Sequence, residues 1–444
     1  MWVEKKTPDN CGAVKTLNSF FDKAIIRKIA KSSGFMLRAV RKISPYHFVS
    51  GFLLSVCNGQ TSFQAWAIQI SILSGQTVSK QGLSDRIHAR ATVYAQQLLQ
   101  HALLQKIVTN SPRVTELFKT FRKVVLHDST TVRLPAALAW LFPGNRSMGE
   151  QKAVARIQSI IDIKSMRFLD LILGAFTQND QSASKTILGW VKKGDVVIRD
   201  LGYFAIDTFK NLIEKEVDFL SRLKYGVNVY DGQGKQIALK KLLRQGKVID
   251  RWVWIGAEKQ VRVRLLMIPL PPAQAARKKR KARKDRDRRL NHSKEYYQWL
   301  DFNVYITTVG KEIWSAQDVT QAYQVRWQIE IIFKSWKSSF HLEQIFREEC
   351  ENEHRIKVSI YLMLLFICLF MQKIYVYYKD KTEKRIGKQI SLLKLSKFFT
   401  AHITNVFSMT SAQLADLISR YCCYEKRTDR INLALLYQKT KHLT

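Results

Sequence analysis

The chain changes texture twice along its length. From Phe48 to Val56 and from Phe63 to Leu73 apolar residues recur at helical spacing. A Ser-Gly-Gln-Thr break at 74–77 follows, and a second amphipathic stretch is predicted from Lys80 to Leu99. Two helices around a Gly-containing turn have the outline of a helix-turn-helix. Ser79, Lys80, Gln81 and Ser84 then open the second helix, where base-reading side chains would sit, although ordinary helical hairpins share the pattern. From about residue 121 the period shortens. Lys123–Asp128 is a short apolar run ending on an acid, and Thr130–Leu134 continues it with β-branched residues. Arg156–Lys164 and Met166–Phe176 read as a hairpin, Ser182–Lys192 as helix, Asp195–Asp200 as another short strand ending on an acid, Ala205–Lys215 as helix and Val217–Leu223 as strand. That alternation predicts a mixed α/β sheet.

Residues 224–310 break the rhythm. Val227–Tyr230, Gln236–Leu239, Asp250–Trp254 and Val261–Leu266 are short, strand-like and separated by Gly-containing turns, which predicts a β-rich insertion. Pro269, Pro271 and Pro272 close it, and Arg277–Lys294 carries eleven Lys/Arg against Asp285 and Asp287. Such a run is commonly a solvated helix or linker; in a DNA-binding protein it could track phosphates. After one more strand, Tyr305–Thr308, the chain reads as helical to residue 444. The resulting layout is a helical region over 1–115, a mixed α/β core over 116–223, the insertion with its basic segment over 224–310, a second part of the core over 311–345 and a helical region over 346–444.

Charge alters this picture more than length does. Lys+Arg number 73 and Asp+Glu 36 among 444 residues, a formal net charge of +37. An excess of this size predicts affinity for polyanions, and the 46% hydrophobic content argues against general disorder. Residues 1–110 hold only four acids, Glu4, Asp9, Asp22 and Asp85. The longest uncharged apolar run, Val358–Gln372, has 15 residues. That is short of the roughly 20 that span a bilayer, so a buried core helix is expected. The first thirty residues lack the signature of an export signal, so a cytoplasmic protein with no membrane partner is expected. Cys11, Cys57, Cys350, Cys368, Cys422 and Cys423 show no metal-ligand spacing and are expected to be reduced and mostly buried.

The candidate chemistry lies in three acids. Asp128 follows Val-Val-Leu-His and Asp200 follows Val-Val-Ile-Arg, so each is expected where a buried strand emerges at the sheet edge, a common place for active-site groups. Either alone could equally cap a turn. On a helix from Asp318 to about Ser339, Tyr323, Arg326, Glu330 and Lys337 fall within roughly 60°, opposite Val325, Ile329, Ile332 and Trp336. An ordinary surface helix with an Arg326–Glu330 pair has the same appearance. Two aspartates and a glutamate together, however, supply three oxygen ligands for two divalent cations, chemistry suited to a phosphodiester.

Tyr323-x2-Arg326-x3-Glu330-x6-Lys337 resembles the YREK signature of the insertion-sequence-4 family of bacterial DDE transposases. Arg326-Trp327-Gln328-Ile329-Glu330, Asp200-Leu-Gly-Tyr203-Phe204 and His127-Asp128-Ser129 resemble the segments around that family's acids. The resemblance covers about 120–340 and the position of the insertion. It implies an α/β fold with a ribonuclease-H-like mixed-sheet core, Asp128, Asp200 and Glu330 as catalytic ligands of two Mg²⁺ or Mn²⁺ ions, and Tyr323, Arg326 and Lys337 as phosphate contacts. It also implies cutting and joining of double-stranded DNA at terminal inverted repeats through a hairpin, insertion into target DNA, and a homodimer acting in the bacterial cytoplasm on the nucleoid. Trp299 stands where such enzymes are expected to stack a flipped base, with Trp252, Trp254 and Phe302 as competitors and core packing as the commoner role for any one of them. Two rivals share these residues: a ribonuclease-H-like nuclease without strand transfer, and a non-catalytic DNA-binding derivative. Gly202 is expected to allow a sharp turn after Asp200.

Overall fold

The computed structural model describes residues 23–425 apart from 39–41, 61, 106–115, 148–149, 259–260, 285–291, 345–350 and 407–408. Its contacts divide the chain into two compact units, one of residues 1–112, 129–178 and 328–444, the other of 113–128 and 179–327. Ten strands are described: β1 Val124–Leu134, β2 Pro143–Ser147, β3 Glu150–Asp162, β4 Arg167–Ala175, β5 Val196–Arg199, β6 Asp218–Arg222, β7 Val229–Tyr230, β8 Ile249–Ile255, β9 Val261–Pro269 and β10 Phe302–Thr307.

The first unit is largely helical. Ser44 and Ser62 accept from the third backbone N–H of the helices Pro45–Cys57 and Phe63–Ser74, and Gly75 ends the second in the left-handed region. The expected helix from Lys80 to Leu99 is instead two, Lys80–Ser84 and Ala89–Leu104. The first is one short turn capped by Ser79, with Gly82 inside it, a residue that disfavours helix by about 1 kcal/mol. The helix-turn-helix outline therefore lacks a long second helix. Phe35 stacks on Tyr94 at 4.5 Å, Trp66 Nε1 donates to Phe48 O at 2.9 Å and Tyr94 Oη donates to Pro45 O at 3.2 Å, which ties these helices into one core.

The helix Glu353–Leu369 packs on Ala89–Leu104 and continues through a π-helical turn, Phe370–Tyr375, into Val376–Ile386. By length and composition this helical run could cross a membrane, but 94% of its most apolar window is buried inside the protein, as a core helix requires. The hairpin reading holds: β3 and β4 pair antiparallel, with Met166 in the left-handed region at their link. Cys57, Cys368, Cys422 and Cys423 are buried free thiols; Cys11 and Cys350 lie outside the described residues.

The second unit is built on strands. β1 pairs parallel with β5 and β5 parallel with β6, while β6–β10, β10–β9, β9–β8 and β8–β7 are antiparallel. All four residues of β5 are buried, as expected of a central parallel strand whose sequence is a continuous run rather than an alternation. β1 runs across the boundary, with residues 124–128 in this unit, and the parallel strands β1, β5 and β6 followed by antiparallel neighbours give it the mixed sheet expected of a ribonuclease-H-like core. The basic run that could have been a linker opens as a helix, Pro272–Arg283, and Ser182–Gly189 is a 3₁₀ segment rather than an α-helix.

Trp314, fully buried, fastens this unit. Its Nε1 donates to Leu117 O at 2.7 Å, its ring meets Phe118 at 5.9 Å and Phe121 at 5.1 Å, and its carbonyl accepts from the buried Arg264 at 2.7 Å. Arg264 also forms a two-pronged pair with Asp250, each bond 2.8 Å. Trp314→Ala is expected to destabilise the protein by about 3–5 kcal/mol, the usual range for emptying a buried aromatic site. Urea unfolding should show a clearly lowered midpoint; an unchanged midpoint would remove Trp314 from this role.

Candidate active site

The register between β1 and β5 builds the site. The last Cα pair is His127↔Arg199, so Asp128 and Asp200 are the next residue on each of two neighbouring parallel strands. Neighbouring strands lie about 4.8 Å apart and in-register residues share a face, so the two carboxylates are brought side by side. Asp200 stands at a strand end, as expected. Asp128 does not: β1 runs on to Leu134, and Asp128 lies where its residues pass from fully buried to half-buried. It is exposed to chemistry because β5 stops beside it, not because its own strand does.

Both carboxylates meet one guanidinium. Arg326 Nη1 is 3.4 Å from Asp128 Oδ2, and Arg326 Nε is 3.8 Å from Asp200 Oδ1. Tyr323 Oη donates to Asp200 Oδ1 at 3.1 Å. Burial, and to a smaller degree Asp200, push the Tyr323 hydroxyl well above the usual phenol range, so it stays a proton donor. The Tyr323 ring lies 5.0 Å from Tyr305, with the guanidinium of Arg222 over it at 5.1 Å.

Tyr323 and Arg326 do not share one helix. The expected continuous helix is two, Ala316–Gln324 and Trp327–Ser338, and Arg326 sits in the joint, its N–H donating to Tyr323 O at 3.1 Å. The joint lets Arg326 reach the strand ends. Ser315 and Asp318 form a capping box that fixes the start of the first helix.

Behind the acids stands Arg199, 0% exposed. Its Nη2 donates to Ser184 O at 2.7 Å and lies 3.2 Å from His127 Nδ1, and its guanidinium is 5.1 Å from the Tyr203 ring, which itself lies 4.2 Å from His127. Burial pushes the Arg199 pKa down to about 9, so it remains cationic at neutral pH. Sequence reasoning missed Arg199 and Arg222. An arginine inside an otherwise apolar strand run was the available signal for the first; nothing local marked the second. Gly202 lies in the 3₁₀ turn Leu201–Tyr203 directly after Asp200, where Tyr203 N–H donates to Asp200 O at 3.1 Å; its φ is not in the left-handed region, and a Cβ there would lie 3.2 Å from Asp180 Oδ2.

The remaining predicted residues lie elsewhere in the chain. Glu330 is exposed in the first turn of Trp327–Ser338, four residues after Arg326, and falls in the first unit, as does Lys337, which pairs with Glu343 at 2.9 Å. Trp299 ends the short helix Lys294–Trp299, half-buried, its ring edge-on to Tyr225 at 5.6 Å. Among the described residues no three His, Cys, Asp or Glu side chains stand together as a metal cluster. Asp128 and Asp200 nevertheless fit a hard divalent cation: they offer paired, partly exposed carboxylate oxygens that already converge on a positive charge.

A sheet with two adjacent carboxylates at the end of a parallel strand pairing suits an enzyme that cuts phosphodiesters with divalent metal. The sequence profile described as "Transposase DDE domain" matches residues 119–371, more than half of the chain, and the chain belongs to that family of metal-dependent transposases. It is similar to the transposase for insertion sequence element IS231D of Bacillus thuringiensis subsp. finitimus, 26% identical over 416 residues, covering 87% of this chain and 86% of the relative. It is also similar to that of IS1151 of Clostridium perfringens, 25% identical over 363 residues and 76% of each chain. Among solved structures, a piggyBac transposase synaptic complex with hairpin DNA aligns over 98% of this chain and 85% of that chain, with TM-score 0.48 and 10% identity.

Tyr323→Phe removes the donor to Asp200 but keeps the ring under Arg222. The expected loss of stability is about 0.5–1.5 kcal/mol, since water reaches Asp200. A thermal melt checks this, and a loss several times larger would show that the bond carries more of the fold than its exposure allows.

Proposed function

We propose that the chain is a cut-and-paste transposase of the insertion-sequence-4 type that cleaves and joins DNA ends through a hairpin. The observation that carries this reading is the convergence of Asp128 and Asp200 on Arg326, with Tyr323 donating to Asp200. In this reading Glu330 joins the two aspartates as third ligand. Mg²⁺ or Mn²⁺ held there would activate water or a 3′-hydroxyl for attack and offset charge on the departing oxygen.

The chain's own residues do the rest. Arg326 offsets the repulsion between the paired carboxylates, and once they are engaged its fork is free to hold the phosphate beside the scissile bond. Tyr323, kept protonated by burial, orients Asp200 through its hydroxyl. Arg199, through His127 and the Ser184 carbonyl, holds the two strands in register just ahead of both acids. Lys337 contributes a point charge to the DNA backbone after leaving Glu343, and Trp299 supplies a stacking face for a base displaced at the hairpin. The protein acts as a homodimer on paired terminal inverted repeats and on target DNA, at the bacterial nucleoid. The resemblance of the Tyr323–Lys337 spacing to the family signature supports this assignment.

Asp128→Asn, Asp200→Asn and Glu330→Gln are each expected to abolish Mg²⁺-dependent cleavage of DNA carrying the element's ends while leaving binding to those ends largely intact. Substantial cleavage by any one of them would falsify the ligand assignment. Supplied with a pre-cut 3′-hydroxyl, the unaltered enzyme should yield strand-transfer product, which a plain nuclease would not make. Lys337→Ala should lower the slope of log binding against log salt by about one unit. An unchanged slope would take Lys337 out of the phosphate contacts.

A further inference from the structure

The helix Pro272–Arg283, with Lys284 as its cap residue, has seven Lys/Arg and no acid. Two of the seven face inward. Lys278 Nζ donates to Phe302 O at 3.2 Å and to Asn303 Oδ1 at 2.9 Å, and Lys279 Nζ pairs with Asp301 at 2.6 Å. Burial, aided by Arg222, pushes the Lys278 ammonium down to about 8, as befits a lysine used as an internal strut. With the buried Ala275, these lysines define the face held against β10 and the turn before it.

On the opposite face, at about 100° per residue, Arg277, Arg280, Lys281 and Lys284 fall within an arc of about 100° centred away from Ala275. All four are exposed. Arg283 turns aside, its guanidinium 5.8 Å from the Tyr297 ring. Among the described residues no ion pair joins any of the four to an acid. Cations in the last turn suit the helix dipole, which accounts for Arg280 and Lys281. It does not account for Arg277, nor for the like-charged pairs Arg277/Lys281 and Arg280/Lys284 at i, i+4, which repel. A polyanion relieves that repulsion.

We propose that this helix is a rail for the backbone of duplex DNA, engaged through Arg277, Arg280, Lys281 and Lys284. From Arg277 to Lys284 the helix advances about 10.5 Å. A duplex carries one charge per about 1.7 Å of axis, roughly six over that length with about three on either strand, so a row of four cations is of the size to engage the phosphates that one face of a duplex presents. The rail rests on the DNA-cutting reading only for the identity of the polyanion. It reads no sequence, because its four side chains supply charge and no base-edge code is needed to satisfy them.

The test uses the full chain without divalent metal, so cleavage does not enter. Binding to a random-sequence duplex is measured over a range of salt for the unaltered protein, for the combined Arg277→Gln, Arg280→Gln, Lys281→Gln, Lys284→Gln variant, and for the charge-keeping combination Arg277→Lys, Arg280→Lys, Lys281→Arg, Lys284→Arg. The glutamine variant should lose about 3–4 units of slope, and the charge-keeping one less than one unit. If the fourfold glutamine variant does not fold, Lys281→Gln with Lys284→Gln should lose about two units. A duplex slope within one unit of the unaltered protein's overturns the rail, as does a loss confined to single-stranded DNA. Failure of Asp128→Asn to stop cleavage would leave this slope untouched, so the two readings fail separately.

Discussion

The site depends on the parallel pairing of β1 with β5 and on where that pairing ends. Val124–His127 and Val196–Arg199 are buried on both sides, so the register has no solvent face onto which it could slip cheaply. Its last pair, His127 with Arg199, is also joined through side chains, Nη2 of the arginine standing 3.2 Å from the imidazole Nδ1. Everything beyond that pair follows geometrically: Asp128 and Asp200 can only be neighbours. Moving either strand by one residue would turn one carboxylate to the other face and bring His127 or Ser129, or Arg199 or Leu201, into its place.

Bringing two carboxylates together carries an electrostatic cost, which Arg326 offsets, and three arginines stand at different depths around the site. Arg199 supplies a buried cation behind the strands, Arg326 a partly exposed one against both carboxylates, and Arg222 a third over the ring of the tyrosine that donates to Asp200. The depth matters because a charge inside protein is screened less than one at the surface. The excess of +37 is therefore not all for DNA: part of it is spent inward, on Arg199, Arg264 and the lysine struts Lys278 and Lys279.

Much of this was legible before any coordinates. The apolar tetrads ahead of Asp128 and Asp200 marked both strands, because a centrally buried parallel strand must be continuously hydrophobic, and the hairpin over residues 156–176 followed from two apolar runs and a tight link. The break between Gln324 and Trp327 was not legible: neither proline nor glycine stands there, and helical periodicity passes through unchanged. At Ser84–Ala89, where a one-turn helix stops although the apolar spacing continues, Gly82 was a local signal that the apolar period hid. At the first break the contacts of Arg326 with Asp128 and Asp200 outweigh a local preference of only tenths of a kcal/mol per residue. Asp128 inside a longer strand escaped for a related reason, since the exposure of a residue depends on how far its neighbour extends.

By itself the sequence determined the chemical inventory: which acids end buried runs, which residues share the Tyr323–Lys337 spacing, and how far positive charge exceeds negative. Those are properties of residue type and of short-range period, and they survive any arrangement of the chain. Only the tertiary structure decided which groups meet: that Asp128 and Asp200 share Arg326, that Arg199 lies behind them, and that Lys278 and Lys279 turn inward while four neighbours on the same helix face solvent. Such pairings join residues up to 198 positions apart, and no local rule of periodicity or propensity constrains contacts at that separation.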